Sequence, residues 1–272
     1  MDTSLKGTAL ITGASSGIGA VYADRLAHRG YDLILVARNR ERLDALAARV
    51  ARDTGRSVRA IVADLNDAAD LARVGEVLST DPGITMLVNN AGVGATAPLL
   101  DADVDKLARM INLNVTALVR LTAAIAPELV ARGGGTIINI SSAVAIGPEF
   151  LNGVYGGTKA FVLAFSLSLQ KELAERSVRI QAVLPGATAT GFWDAAGGSA
   201  DGLPESIVMS AEDMVDAALA GLDRGELVTI PSLPEYAEWE AYEAARQKML
   251  PKLSRSAPAE RYGVPERAAL CH

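Results

Sequence analysis

Short, almost uninterrupted apolar runs alternate with segments of helical periodicity along most of this chain. Thr8–Thr12, Asp32–Ala37, Val58–Ala63, Ile84–Asn89, Thr136–Ser141, Val178–Leu184 and Leu227–Ile230 are short and strand-like. They lack the polar alternation of a strand that faces water on one side, so each must be covered on both faces. A parallel sheet layered between helices meets that demand. The intervening segments have the required period. Ile18–Arg29, Glu41–Arg52, Asp67–Leu78, Val104–Ala131, Tyr155–Arg176 and Ser210–Asp223 read as helices. In the second, Leu43, Leu46, Ala47 and Val50 fall on one face. The fourth carries Pro127, where a bend is expected. Right-handed crossovers then predict an α/β, doubly wound, seven-stranded parallel sheet of order 3-2-1-4-5-6-7. Its switch point beside strand 1 is where such sheets bind dinucleotides.

The balance of residues removes several classes of function. Half of the 272 residues are apolar, the net charge is −6 and no basic cluster stands out, which argues against a nucleic-acid partner. Cys271 is the single cysteine, so no intramolecular disulfide can form, which suits a reducing compartment. The N-terminal residues show no signal-peptide pattern. No stretch approaches the roughly 18 uninterrupted apolar residues of a membrane helix. A cytoplasmic protein with no membrane partner is expected. His28 and His272 are far apart and belong to no ligand cluster, so no metal site is expected.

The first strand runs into Thr12-Gly13-Ala14-Ser15-Ser16-Gly17-Ile18-Gly19, and a helix follows. Glycines there permit a tight turn and let the backbone approach a pyrophosphate, whose charge the helix N-terminus stabilises. Turns also collect glycines, but placement between first strand and first helix favours a phosphate cradle. At the end of strand 2, where NAD-binding folds carry an acidic residue, stand Ala37, Arg38, Asn39 and Arg40. No carboxylate repels a ribose 2′-phosphate there, and guanidinium groups are available to bind it, unless they are only solvated helix-start residues. NADP(H) is therefore expected in preference to NAD(H). Asp64 follows strand 3; it could accept from the adenine amino group or cap the next helix, a role Asn66 also fits. Asn89-Asn90-Ala91-Gly92 closes strand 4 with residues small enough to run beside a cofactor.

Tyr155 and Lys159 are spaced i, i+4 and lie on one helical face. A phenol titrates near pKa 10; an adjacent ammonium favours the phenolate, which makes a usable acid/base. Ser142, just past strand 5, points into the crevice at the strand ends and can hold a carbonyl against Tyr155, although adjacent Ser141 fits the spacing too. Asn114 interrupts the long helix, where asparagine is a poor choice; its side chain serves either a site or a local backbone group.

Taken in order, TGASSGIG (Thr12–Gly19), Asp64-Leu65, NNAG (Asn89–Gly92), Asn114-Val115, Ser142, YGGTK (Tyr155–Lys159) and Pro185-Gly186 with Thr190 resemble the short-chain dehydrogenase/reductase family over roughly Thr8 to Ile230. The resemblance implies a Rossmann-type NADP-binding catalytic domain. It implies hydride transfer between the nicotinamide and a carbonyl or alcohol substrate. Tyr155 would be the general acid in reduction and Lys159 would lower its pKa and bind the nicotinamide ribose. The family pattern selects Ser142 over Ser141 to orient the carbonyl, and Asn114 would hold a water that links Lys159 to solvent. The resemblance places Gly13, Ser15, Ser16, Gly17, Ile18, Gly19, Asp64, Leu65, Asn90, Ala91 and Gly92 along the cofactor. It adds Pro185, Gly186, Thr188 and Thr190 near the nicotinamide, beside Tyr155 and Lys159. Many NADP-preferring relatives carry a basic residue where this chain has Ser16, so the preference rests chiefly on Arg38, with Arg40 beside it. The competing reading is an NADP(H)-binding sensor or scaffold protein on the same fold, which would be expected to have lost Tyr155 or Lys159.

Residues 187–209, rich in glycine and small side chains, are expected to form a substrate lid in which Phe192 and Trp193 either line an apolar wall or pack into the core. The catalytic domain is expected over 1–232 and a helical extension with a tail over 233–272. The helix after Tyr155 is apolar almost all round (Phe161, Val162, Leu163, Ala164, Phe165), so either its own subunit or a second copy must cover it. A homodimer or homotetramer is expected, in line with the resemblance. The substrate, the physiological direction and the stereochemistry are not encoded in any of these patterns.

Overall fold

In the computed structural model, which describes residues 6–197 and 202–264, the apolar runs pair as parallel strands. Strands β1 (Thr8–Thr12), β2 (Asp32–Ala37), β3 (Val58–Val62), β4 (Ile84–Asn89), β5 (Gly135–Ile140) and β6 (Val178–Val183) join a late strand, Val228–Thr229. The order is β3-β2-β1-β4-β5-β6 and then that late strand, as expected from the alternation. Two short strands intervene in the chain, β7 (Thr188–Ala189) and β8 (Met209–Ser210), which makes the seventh strand of the sheet β9. β7 and β8 pair with each other in parallel and tie the two ends of the expected lid together.

Successive residues of each strand enter opposite cores. Ala9 and Ile11 of β1, Leu33 and Leu35 of β2 and Met86 and Val88 of β4 pack on one face; Leu10, Ile34, Val36 and Leu87 pack on the other. This period of two is why no strand shows a polar face. The first core is closed by α1 (Gly17–His28), α2 (Arg40–Thr54) and α8 (Ala211–Arg224), through Tyr22, Leu43, Val50, Met214 and Leu219 among others. The second is closed by α3 (Ala68–Thr80), α5 (Leu118–Ala131) and α6 (Gly153–Leu173), through Val74, Leu78, Leu121, Ile125 and Leu169.

Local chemistry sets the helix ends. Asn39 caps α2 by accepting from the Arg42 amide at 2.9 Å, and Gly55, at φ +69°, ends it. The cap of α3 is Asp67, which accepts from the amides of Ala69 and Asp70. It is neither Asp64 nor Asn66. Asn152 caps α6, so that helix begins two residues before Tyr155.

The helical run between β4 and β5 departs from α geometry at Asn112–Ala117, a π-helical turn between α4 (Val104–Ile111) and α5, and not at Pro127. By length and composition this run is apolar enough to cross a membrane. Leu118, Leu121, Ile125 and Leu129 are buried within the chain itself.

Contacts divide the chain into Met1–Ser232 and Leu233–His272. The second unit contains α9 (Tyr236–Met249), in which the Trp239 and Tyr242 rings lie 5.4 Å apart and Glu243 pairs with Arg246. Cys271 and His272 lie outside the described residues.

Candidate active site

The C-terminal ends of β1 and β4 are stitched together by two side chains. The Thr12 hydroxyl accepts from the amides of Asn90 and Ala91, both at 3.0 Å. The Asn90 amide group donates to the carbonyls of Thr12 (2.9 Å) and Gly13 (3.1 Å). Over this clamp the glycine loop turns with φ +65° at Gly13 and +52° at Gly17, the left-handed region. A Cβ at Gly19 would strike the Gly13 carbonyl and lie 2.6 Å from the Asn90 side chain. The helix that follows has Ser16 at its cap but no side-chain capping bond, and its first turn holds no acidic residue. Its orphan amides and positive dipole end thus lack an internal anionic partner, which fits a bound pyrophosphate. Ser15 and Ile18 flank these positions, and Thr190 packs on the loop, its Cγ2 3.1 Å from where a Gly17 Cβ would be.

Arg38 and Arg40 lie exposed at the end of β2 and the start of α2. Among the described residues neither is paired with a carboxylate, so both guanidinium groups remain available to a 2′-phosphate. Asp64 instead organises its own loop: its carboxylate accepts from the Asn66 amide at 3.0 Å and its amide donates to Asp70. Leu65 is buried.

The groups expected to act on substrate come together at the ends of β4, β5 and β6. The Ser142 side chain lies close enough to the Tyr155 hydroxyl to favour its ionised form. Ser142 also accepts from the Val144 amide (3.3 Å) and reaches the Pro185 carbonyl (3.4 Å). Ser141 is committed elsewhere: its hydroxyl donates to the Lys159 carbonyl at 2.7 Å, inside the core. That commitment gives a structural reason for the family's choice of Ser142. Lys159 Nζ lies 5.8 Å from the Tyr155 ring centroid and donates to the Ile140 carbonyl at 3.0 Å. Asn114, in the π-helical turn, grips Val93 on both sides, accepting from its amide (3.0 Å) and donating to its carbonyl (2.9 Å). It also donates to Thr158, whose hydroxyl donates to the Tyr155 carbonyl. Gly92 brings the two halves together: a Cβ there would be 3.2 Å from Asn114 Oδ1 and 3.5 Å from Lys159 Nζ. Thr158 escaped the sequence reading although it sits inside the YGGTK motif, because only the fold shows that it faces Asn114.

Behind this cluster a buried polar chain holds the elements in register. Asn89 donates to Thr122 and Asn139, Asn139 donates to Ser166, and Ser166 donates to the Val162 carbonyl. Four elements, β4, β5, α5 and α6, are thereby pinned beside the strand ends. On the outer side, Leu107, Met110 and Val144 surround Tyr155, with Val93, Leu151, Val154 and Phe192 packed against them. Phe192 therefore belongs to the wall of the site. Trp193 crosses it edge-on at 5.8 Å and donates to the Thr188 carbonyl at 3.0 Å. Among the described residues no group of three or more histidine, cysteine or acidic side chains is set to hold a metal.

The short chain dehydrogenase family model matches residues 7–198, which contain the loop, the clamp and the tyrosine cluster. The chain belongs to the short-chain dehydrogenase/reductase family. A short-chain dehydrogenase from Sphingobium yanoikuyae, solved in complex with NADPH, is 50% identical; the alignment covers 94% of this chain and 99% of that one, with a TM-score of 0.91. The bulky-bulky ketone specific alcohol dehydrogenase from Comamonas testosteroni is 44% identical over 94% of this chain and 98% of its own, with a TM-score of 0.87. Human 17-beta-hydroxysteroid dehydrogenase type 3 is 39% identical over 185 residues, 67% of this chain and 59% of that protein. The chain thus spans about three-fifths of the length of that relative.

Burial governs the titration of the family's two signature side chains in this chain. It pushes Lys159 down to about 8 and Tyr155 up to about 12, and the Ser142 side chain acts against the latter shift. Desolvation thus sets the direction for Tyr155, and the opposing influence comes from Ser142, not from the expected ammonium.

Proposed function

We propose that this dehydrogenase uses NADP(H) to interconvert a ketone and its secondary alcohol, with reduction as the physiological direction. The observation that carries the reading is Lys159 Nζ 5.8 Å from the Tyr155 ring centroid and one helical turn away, with Ser142 beside Tyr155 and Gly92 and Asn114 against the lysine. NADPH, when bound, supplies the hydride. Gly13, Gly17 and Gly19 would leave the backbone open to its pyrophosphate, Arg38 and Arg40 would hold its 2′-phosphate, and the Pro185–Thr190 segment would border its nicotinamide. Ser142 donates to the carbonyl oxygen and aligns it with Tyr155, whose phenol releases its proton to that oxygen as the alcohol forms. Lys159 stabilises the phenolate left behind, and Asn114 holds a water that returns a proton from solvent. A phenol lifted to about 12 keeps its proton throughout the neutral range, which suits a proton donor.

The alcohol dehydrogenase from Comamonas testosteroni is described as specific for bulky-bulky ketones. The apolar wall of Leu107, Met110, Val144 and Phe192 supports the same substrate class here, a ketone with large groups on both sides. A panel of ketones followed by loss of NADPH absorbance, run beside Tyr155→Phe, tests the reading. The variant should lose nearly all turnover of the best ketone; parental turnover would remove Tyr155 as the proton donor.

A further inference from the structure

The Phe192 ring lies over the catalytic tyrosine. The Tyr155 and Phe192 centroids are 5.7 Å apart at an angle of 46°, and Tyr155 is only 5% exposed. Beneath the ring is Gly94: a Cβ there would collide with Phe192 Cζ and lie 3.0 Å and 3.1 Å from its Cε atoms. The missing side chain of Gly94 is therefore the floor of a slot that the phenyl ring fills. The ring packs there against the apolar cluster of Leu107, Met110 and Val144, to which Tyr155 also belongs. Two ties hold the segment that brings Phe192 there. The Phe192 amide donates to the Thr190 hydroxyl at 3.3 Å, and Thr96, two residues past Gly94, donates through its amide and hydroxyl to the Ala196 carbonyl.

We infer that the Phe192 ring is a built-in stand-in for part of the substrate. It occupies the seat of the ketone's larger substituent, and a ketone reaches Tyr155 by taking the ring's place. A substituent that replaces the ring must restore the contacts the ring gives up, so the group that fits is flat, apolar and of phenyl size. The preferred substrates are accordingly aryl ketones, and Gly94, which leaves the slot open, is the residue that determines this. A short alkyl ketone meets the same obstruction but cannot fill the slot it opens, and the unfilled space forfeits packing. The inference rests on Tyr155 being the proton donor.

Propiophenone and 2-butanone test it in parental enzyme, Gly94→Ala, Phe192→Ala and Tyr155→Phe. Parental kcat/KM should favour propiophenone. Gly94→Ala should lower kcat/KM for propiophenone about tenfold by shrinking the slot, without lowering that for 2-butanone. Phe192→Ala should lower the KM for propiophenone, because the slot no longer has to be vacated, and should keep the aryl preference. Binding is read separately from the fluorescence of Trp193, which touches Phe192, in a Trp239→Phe background with NADP+ present. Propiophenone should shift that emission and 2-butanone should not. Equal loss for both ketones in Gly94→Ala, a raised propiophenone KM in Phe192→Ala, or an unshifted Trp193 spectrum would each overturn the inference. A fully active Tyr155→Phe would instead remove the proton donor, while the slot would stand on the Gly94 and Trp193 results.

Discussion

Arg38 and Lys159 show how differently a single charge is treated at the rim of this site and in its interior. Arg38 is exposed and unpaired among the described residues, so its whole contribution is available to a ligand phosphate. Arg38→Asp should raise the KM for NADPH at least tenfold more than the KM for NADH; equal rises in the two would remove the phosphate-binding role. Lys159 is buried and held near pKa 8, well below the 10.5 of a free lysine. Below pH 8 both the folded and unfolded chains carry the proton and the folded state bears the full cost of burying it. Between pH 8 and 10.5 the folded state has already released the proton that the unfolded chain still binds, so stability rises with pH. Lys159→Met, inactive as an enzyme, should therefore unfold at a higher temperature than the parent at pH 7 without cofactor. That advantage, of order 3 kcal/mol, should shrink as pH climbs to 10.5. A constant difference across that range, followed by circular dichroism melts, would show that the lysine charge is not what sets it. Both residues were legible beforehand, because arginine where a strand end lacks a carboxylate, or lysine one turn after tyrosine, is a pattern of identity and spacing. The lowered pKa of Lys159 was not, because burial is a property of what the rest of the chain places around it.

At the scale of elements, the glycine loop and the π-helical turn are the two departures from regular structure that build the site. The loop closes because Gly19 leaves room for the Gly13 carbonyl and the Asn90 amide. Gly19→Ala should destabilise the fold by about 1–3 kcal/mol through overpacking. It should also weaken NADPH binding more than tenfold in a fluorescence titration; unaltered affinity would mean that the loop does not carry the pyrophosphate. The π-helical turn was not visible in the sequence, which pointed to Pro127 as the irregular place. Proline at 127 is accommodated inside α5, whereas Asn112–Ala117 is drawn out of α geometry where Asn114 grips Val93. That grip depends on a loop twenty-one residues earlier, which helical periodicity does not report. The cap of α3 was misplaced for a related reason: Asp64, Asn66 and Asp67 all have capping side chains, and only the path of the backbone after β3 selects Asp67.

For the whole molecule, α6 carries both Tyr155 and Lys159 and faces the core through Val162, Ser166 and Leu169. Its opposite side presents Gly157, Phe161, Ala164 and Ser168 to the surface, one turn apart, with Phe161 stacked on Phe165 at 5.8 Å. A stripe of small residues around an exposed phenyl ring suits close approach of a second helix. We propose that two copies meet there in a homodimer or a homotetramer. Light scattering coupled to size-exclusion chromatography should give a dimer or tetramer mass, and Phe161→Glu should shift it toward the monomer; a monomeric parent would end the proposal. The sequence by itself determined the layered sheet, its strand order and the residues that gather at its carboxyl edge, because buried parallel strands, crossover helices and a glycine turn each leave a local pattern. Only the tertiary structure decided that Ser141 belongs to the core, that Phe192 lies on Gly94 over the tyrosine, and that desolvation governs the titration of Tyr155 and Lys159. Those outcomes depend on which distant residues share a few ångströms of space, and no local pattern encodes that.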